Sequence, residues 1–159
     1  MAFKGRDEAT EFEKATVELF QDVFGFEAKH IGPIGLTPDV LLFSDSEGYQ
    51  AILDNKAYHK YTINNDHYNR MVHNYIGNIQ NYSKSDKSLA FFSYIAGGFG
   101  SNIDKQLNNI VDATGVNGSA MSVSNMIKMV EKHECTPYSH QKIRDIFSLN
   151  RQVLISDIL

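Results

Sequence analysis

Cysteine is almost absent: Cys135 stands alone, so no internal disulfide can form and a reducing, cytoplasmic setting is expected. No apolar run approaches the ~18 residues that cross a bilayer, which excludes a membrane-spanning helix. The first residues, MAFKGRDEATEFEK, are charged throughout and lack the apolar stretch of a signal peptide. Positive charge is also in short supply. Fifteen Lys and Arg face 19 Asp and Glu, for a net charge of -4 and a pI near 5.8. That excludes holding nucleic acid by bulk positive charge alone. There is no repeat, low-complexity tract or linker. What is present is 159 residues with 42% hydrophobic and 21% charged content. This is enough for one domain with a real core, and the ordinary charge fraction argues against wholesale disorder.

Periodicity marks out the elements. Phe12, Leu19, Phe20 and Val23 recur near helical spacing, with Ala15 and Thr16 between them, and predict a helix over 10–24 that ends at Gly25. A short strand is expected over 27–31. The apolar stretches 40–43 and 50–53 lie either side of Ser-Asp-Ser-Glu-Gly and read as an antiparallel hairpin. Tyr68, Met71, Val72, Tyr75, Ile76 and Ile79 predict one helix over 64–82. The continuous apolar run 89–96 reads as a buried central strand, and 103–114 as an amphipathic helix. Asn117-Gly118 signals a turn before a short strand over 120–123. Ser124 is expected to cap a helix to about residue 132, and Thr136-Pro137 to open a last helix to about residue 149. The order implies an α/β fold, a mixed central sheet with helices on both faces.

The hairpin holds the informative constellation. Pro38-Asp39 opens its first strand and Asp54-Asn55-Lys56 ends its second. Side chains alternate along a strand, so Asp54 and Lys56 share a face ~7 Å apart. Antiparallel pairing can bring Asp39 beside Asp54. Two carboxylates at one edge repel unless a cation neutralises them, and oxygen ligands favour a hard cation such as Mg²⁺. A lysine beside it can hold or deprotonate water, or steady a phosphate oxygen. These parts suit metal-assisted hydrolysis of a phosphodiester. The same charges also fit a solvated strand end with a surface ion pair.

Pro38-Asp39, a hydrophobic strand and Asp54-Asn55-Lys56 resemble the PD-(D/E)xK nuclease signature. The resemblance is closer to the FokI-type cleavage domains of type IIS restriction endonucleases. Glu13 through Glu18-Leu-Phe to Phe24-Gly-Phe-Glu-Ala-Lys-His-Ile-Gly32 is similar to that family's first helix and following turn. Leu53-Asp-Asn-Lys-Ala-Tyr58 is similar to its catalytic strand. Gln106-Leu and Thr114-Gly-Val-Asn-Gly-Ser-Ala120 are similar to a later helix and strand, with Ser122-Val123 leading into the next helix. The match runs in order from about residue 11 to 129, about three quarters of the chain.

The resemblance implies a restriction-endonuclease-like fold and a single catalytic domain over 1–159, with no DNA-recognition domain. It implies Asp39 and Asp54 as metal ligands, the Asn55 carbonyl as a further ligand, and Lys56 as the catalytic lysine. The expected cofactor is Mg²⁺, with Mn²⁺ able to substitute. Glu13 fits two roles, an accessory catalytic acid or the partner of Thr10 in a capping box. No role is assigned to Glu18. Lys29 and His30 fit either a phosphate contact or a surface pair.

The chain also departs from the family. Gly32-Pro-Ile-Gly-Leu-Thr37 replaces a more basic turn. The Asp/Arg pair used for dimer contact falls near Asn69 and His73, or Arg70 and Asn74, and is not reproduced. The Tyr, His and Met side chains between Asp66 and Tyr82 are expected to be exposed and still able to bind a partner, a dimer through this helix included. Gly97-Gly-Phe-Gly100 lacks the ending of a P-loop and reads as a tight turn. His133, Cys135 and His140 lack a clear fourth ligand for zinc.

The function expected is an endonuclease domain or small catalytic subunit cutting one strand of double-stranded DNA to 5′-phosphate and 3′-hydroxyl ends. Recognition would come from a fused domain or a large subunit. The alternatives are a docking module that keeps the fold with little activity, or a structure-directed DNA repair nuclease.

Overall fold

The computed structural model describes residues 6–32 and 36–159. The segment Pro33-Ile-Gly35, part of the turn that departs from the family, lies outside the described residues. The first helix, α1 (Arg6–Glu18), continues as a π-helical turn over Leu19–Val23. Phe24 closes it through its N–H on the Leu19 carbonyl, and Gly25 turns the chain away at φ +77°. Thr10 therefore lies inside the helix, and the capping-box reading of Thr10 and Glu13 is excluded.

The sheet has five strands in the order β1 (Glu27–His30), β2 (Val40–Ser44), β3 (Tyr49–Lys56), β4 (Ser88–Ala96), β5 (Asn117–Ser122). The first three are antiparallel, while β3, β4 and β5 run parallel. β2 and β3 are buried nearly end to end because both faces of the sheet are covered. Leu42, Leu53, Phe91 and Ile95 face Phe20 of α1, Met126 and Met129 of α5 (Val123–Cys135), Phe147 of α6 (His140–Phe147) and Ile158 of α7 (Ile155–Ile158). Leu41, Ile52, Phe92 and Tyr94 face Met71 and Tyr75 on the segment that follows α2 (Asn65–Asn69), and Leu107 and Ile110 of α4 (Ile103–Thr114). The alternation of Leu41 and Leu42 across the pleat divides the core in two.

Several local expectations are corrected. The helix expected over 64–82 is broken: α2 passes into a π-helical stretch over Arg70–Ile76, and a separate α3 covers Ile79–Ser83. The break falls at Gly77, whose N–H closes on the Val72 carbonyl and where a Cβ would come within 2.8 Å of that oxygen. Asn117-Gly118 lies within β5 rather than in a turn, because the Phe92 ring occupies the space a side chain at 118 would need. Ser122, not Ser124, caps α5 by accepting the Asn125 N–H at 3.2 Å. Ser139, not Thr136, caps α6 by accepting from Lys142 N–H. Tyr138 is fixed first, its N–H on His133 and its hydroxyl on the Ile158 carbonyl, which holds 136–138 out of the helix. The short α7 has no counterpart in the sequence reading. Among the described residues no helix is long and apolar enough to cross a membrane.

Candidate active site

The β2–β3 register pairs Val40 with Leu53, which sets Asp39 opposite Asp54 where the two strands begin to part. The two acids are cross-bonded. Asp39 N–H donates to Asp54 Oδ1 at 3.3 Å, and Asn55 N–H donates to Asp39 Oδ2 at 2.8 Å. In an extended strand the N–H and C=O of one residue point to the same edge. The Asn55 carbonyl is therefore turned toward Asp39 as well. Its side chain is used elsewhere: Nδ2 donates to Thr16 Oγ1 at 2.8 Å, tying β3 to α1.

Lys56 Nζ lies 2.9 Å from Asp54 Oδ2. Asp54 is 2% exposed, and this oxygen accepts no directional hydrogen bond from the protein. The ammonium also sits 5.7 Å from the centre of the Tyr61 ring. Tyr61 is hydrogen-bonded through its hydroxyl to His67 Nδ1 at 2.8 Å. Burial draws the His67 pKa below its ordinary value, helped by the Lys56 charge.

A third acid approaches from α1. Glu13 Oε1 lies 2.6 Å from His30 Nε2 at the end of β1. A Cβ placed on Gly32 would be 2.9 Å from Asp39 Oδ1 and 3.3 Å from Glu13 Oε1, so both carboxylates converge on that glycine. Gly32 N–H and Ile31 N–H both donate to the Asp39 carbonyl, extending the β1–β2 ladder to the site.

The Asp39 carboxyl is pushed up to about 9. Removal from water is the largest cause, followed by the charges of Asp54 and Glu13; the Asn55 N–H and Lys56 oppose it. An acid pair held this way is under-neutralised by its own lysine. Asp39, Asp54 and a peptide oxygen are a hard donor set that fits a small divalent cation. Among the described residues, no group of three or more His, Cys, Asp or Glu side chains is placed to hold a metal.

Asp39, Asp54, Asn55, Lys56 and Glu13 are thus brought together. Glu18 is exposed. Lys29 pairs with Glu27 at the surface and lies over Phe43, so of the Lys29-His30 pair only His30 reaches the cluster. Gly97–Gly100 is a turn, its Gly98 and Gly100 packed against His59 and Thr62. His140 stacks on Phe26 and bonds Ser44 and the Phe24 carbonyl, while His133 is used by Tyr138. Gly32, Thr16, Tyr61 and His67 carried no signal in the sequence, because each reaches the site only through tertiary contact.

The family model for the FokI cleavage domain matches residues 1–154. The chain belongs to the FokI cleavage-domain family. Membership likens it to the cleavage part of that family's enzymes. The type II restriction enzyme StsI of Streptococcus sanguinis is 26% identical over 149 residues, which is 86% of this chain and 24% of StsI. The chain therefore spans about a quarter of that relative's length. The fold matches the structure of the restriction endonuclease FokI with a TM-score of 0.80 at 20% identity, covering 96% of this chain and 29% of FokI. FokI bound to DNA matches with 0.79 at 21% identity. The small subunit R.BspD6I2 of the heterodimeric restriction endonuclease R.BspD6I matches with 0.61 at 13% identity, covering 91% of this chain and 81% of that subunit. The fold is that of the restriction endonucleases.

Proposed function

We propose that the chain is a single PD-(D/E)xK catalytic domain over 1–159 that cuts one strand of double-stranded DNA, leaving 5′-phosphate and 3′-hydroxyl ends. The observation that carries this reading is the Asp39–Asp54–Lys56 cluster, with Lys56 Nζ 2.9 Å from a buried Asp54 oxygen that accepts no directional hydrogen bond. Asp39, Asp54 and the Asn55 carbonyl would hold Mg²⁺, or Mn²⁺ in its place. The bound cation would supply charge stabilisation at the phosphoryl oxygen and a lowered pKa for water. Lys56 orients the attacking water or a non-bridging phosphate oxygen, its ammonium held between Asp54 and the Tyr61 ring. Glu13 acts as the accessory acid, its carboxylate fixed by His30.

The acidic balance of the chain suits a domain whose target recognition comes from a fused domain or from a large subunit that also cuts the second strand. This cytoplasmic unit would meet a partner through the polar residues between Asp66 and Tyr82, where Asp66 and Arg70 form an exposed ion pair at 3.1 Å; the expected Tyr and Met contribution is reduced, because Met71 and Tyr75 are buried in the core. Plasmid nicking tests the assignment. The chain with Mg²⁺ or Mn²⁺ should convert supercoiled DNA to open circles, and Asp54→Ala should lose at least about a hundredfold of that rate. Undiminished nicking by Asp54→Ala would falsify the reading.

A further inference from the structure

Beside the acid cluster lies a cavity of about 220 Å³ lined by Tyr58, Lys60, Tyr61, Thr62, Asn64 and His67. Its walls are rigid for a loop. Tyr58 N–H bonds the Lys56 carbonyl, Gly97 N–H bonds the Tyr58 carbonyl, and Tyr61 exchanges bonds with Gly98 and Gly100. Side chains at 98 or 100 would collide with the His59 carbonyl and the Thr62 methyl, so the glycines let the turn after β4 clamp this loop. The Tyr58 ring stacks on Tyr61 at 5.7 Å and is 52% exposed, while Tyr61 is buried and stacks in turn on His67.

The lining is chemically one-sided. In a chain with a net charge of -4, none of the six residues is an acid. Lys60 is exposed and forms no ion pair among the described residues. Thr62 is exposed and brings a hydroxyl. The Asn64 carbonyl oxygen is committed to His67 N–H, which leaves its amide group as a donor. A cation, neutral donors and an exposed aromatic face suit a sugar-phosphate unit, whose phosphate is met by charge and whose deoxyribose packs on a ring. The Tyr61 ring is shared with Lys56, 5.7 Å from its Nζ, so the cavity adjoins the cleavage centre.

Resting on the nuclease reading above, we infer that this cavity seats a DNA backbone phosphate neighbouring the one cut. Lys60 neutralises that phosphate, Thr62 and Asn64 donate to it, and Tyr58 packs against the sugar. The contact is to the backbone and carries no base preference, as expected for a domain whose targeting lies elsewhere.

Fluorescence anisotropy of the whole chain on a short duplex oligonucleotide, with Ca²⁺ in place of Mg²⁺, tests this over a salt series. Lys60→Ala should raise Kd about three- to tenfold, uniformly across sequences, and lower the salt slope by about 1. Lys60→Arg should keep both values. Lys128→Ala, on α5 at the other face of the sheet, should change neither. An unchanged salt slope for Lys60→Ala, an equal loss in Lys128→Ala, or no duplex binding by the parent chain overturns the inference. Plasmid nicking by the same proteins separates the two readings. A parent that binds through Lys60 without nicking keeps the phosphate contact but loses the nuclease, and with it the place of that phosphate beside a cut one. One that nicks with a salt slope indifferent to Lys60 keeps the nuclease and loses the cavity.

Discussion

A methyl group on Gly32 would lie within 3.3 Å of both the Asp39 and Glu13 carboxylates. In Gly32→Ala the two carboxylate ends can swing aside at the expense of the site, and the Asp39 Cα, also 3.3 Å from that methyl, need give by only a few tenths of an ångström. Nicking should fall about ten- to a hundredfold, while the thermal midpoint moves by no more than about 4 °C. Asp39 carries a different signature. Its carboxyl is raised from 3.8 to about 9, so the folded chain holds a proton that the unfolded chain has released over that range. Without a cation, this group's contribution to stability is full below about pH 4, falls as pH rises, and is lost above about pH 9. Mg²⁺ should therefore raise the melting temperature most clearly near neutral and alkaline pH. Asp39→Asn should flatten the metal-free pH dependence and abolish the Mg²⁺ response, both read by calorimetry. The acids were legible in part: strand alternation and hairpin register could set Asp39, Asp54 and Lys56 together, but the choice of a site over a solvated strand end came from the resemblance to the nuclease signature. His30 was legible only as one of two readings, a phosphate contact or a surface pair, and its bond to Glu13 and the approach of Gly32 to the acids were not, because β1 must first pair with β2 to bring them there.

Glycine shows the same limit among the elements. Asn117-Gly118 has turn chemistry, yet Gly118 lies in β5, where it makes room for the Phe92 ring. Gly118→Ala should cost about 1–3 kcal/mol through overpacking, seen as a lower urea midpoint with an unchanged slope. The strands of the hairpin were legible because their apolar runs are bounded by local turn residues. Helix α4 was legible to the residue, since its stripe of Leu107, Ile110 and Val111 ends at a left-handed Gly115. The break at Gly77 and the displaced caps at Ser122 and Ser139 were not. The break and the Ser122 cap are local, on the Val72 carbonyl and the Asn125 N–H, whereas the start of α6 depends on a distant group, as Tyr138 on Ile158 illustrates. Gly77 and Pro137 are poor helix formers, but propensity does not say which residue beside them ends or caps the helix.

The whole chain is acidic, and its long-range field opposes approach to DNA. On the proposed reading, the isolated chain should nick plasmid slowly, without sequence preference, and more slowly still as salt rises. Agarose gels should show open circles accumulating well before linear product. Fully concerted linearisation by the chain alone, at a rate linear in its concentration, would show that one unit handles both strands; a steeper dependence would show that two copies do. The acids also have a mechanical role in the sheet as a whole. β3 is the seam, antiparallel to β2 on one side and parallel to β4 on the other. At its end, carboxylates replace peptide carbonyls as acceptors for Asp39 and Asn55 N–H. The reactive groups are therefore also the stitches that close the open end of the hairpin. Neutralising them by substitution should let that end fray, and the Asn55 amide should then exchange with solvent faster than the middle of β3. Dead variants of such a nuclease need not be inert scaffolds: the change that silences cleavage also loosens the join between the two halves of the sheet.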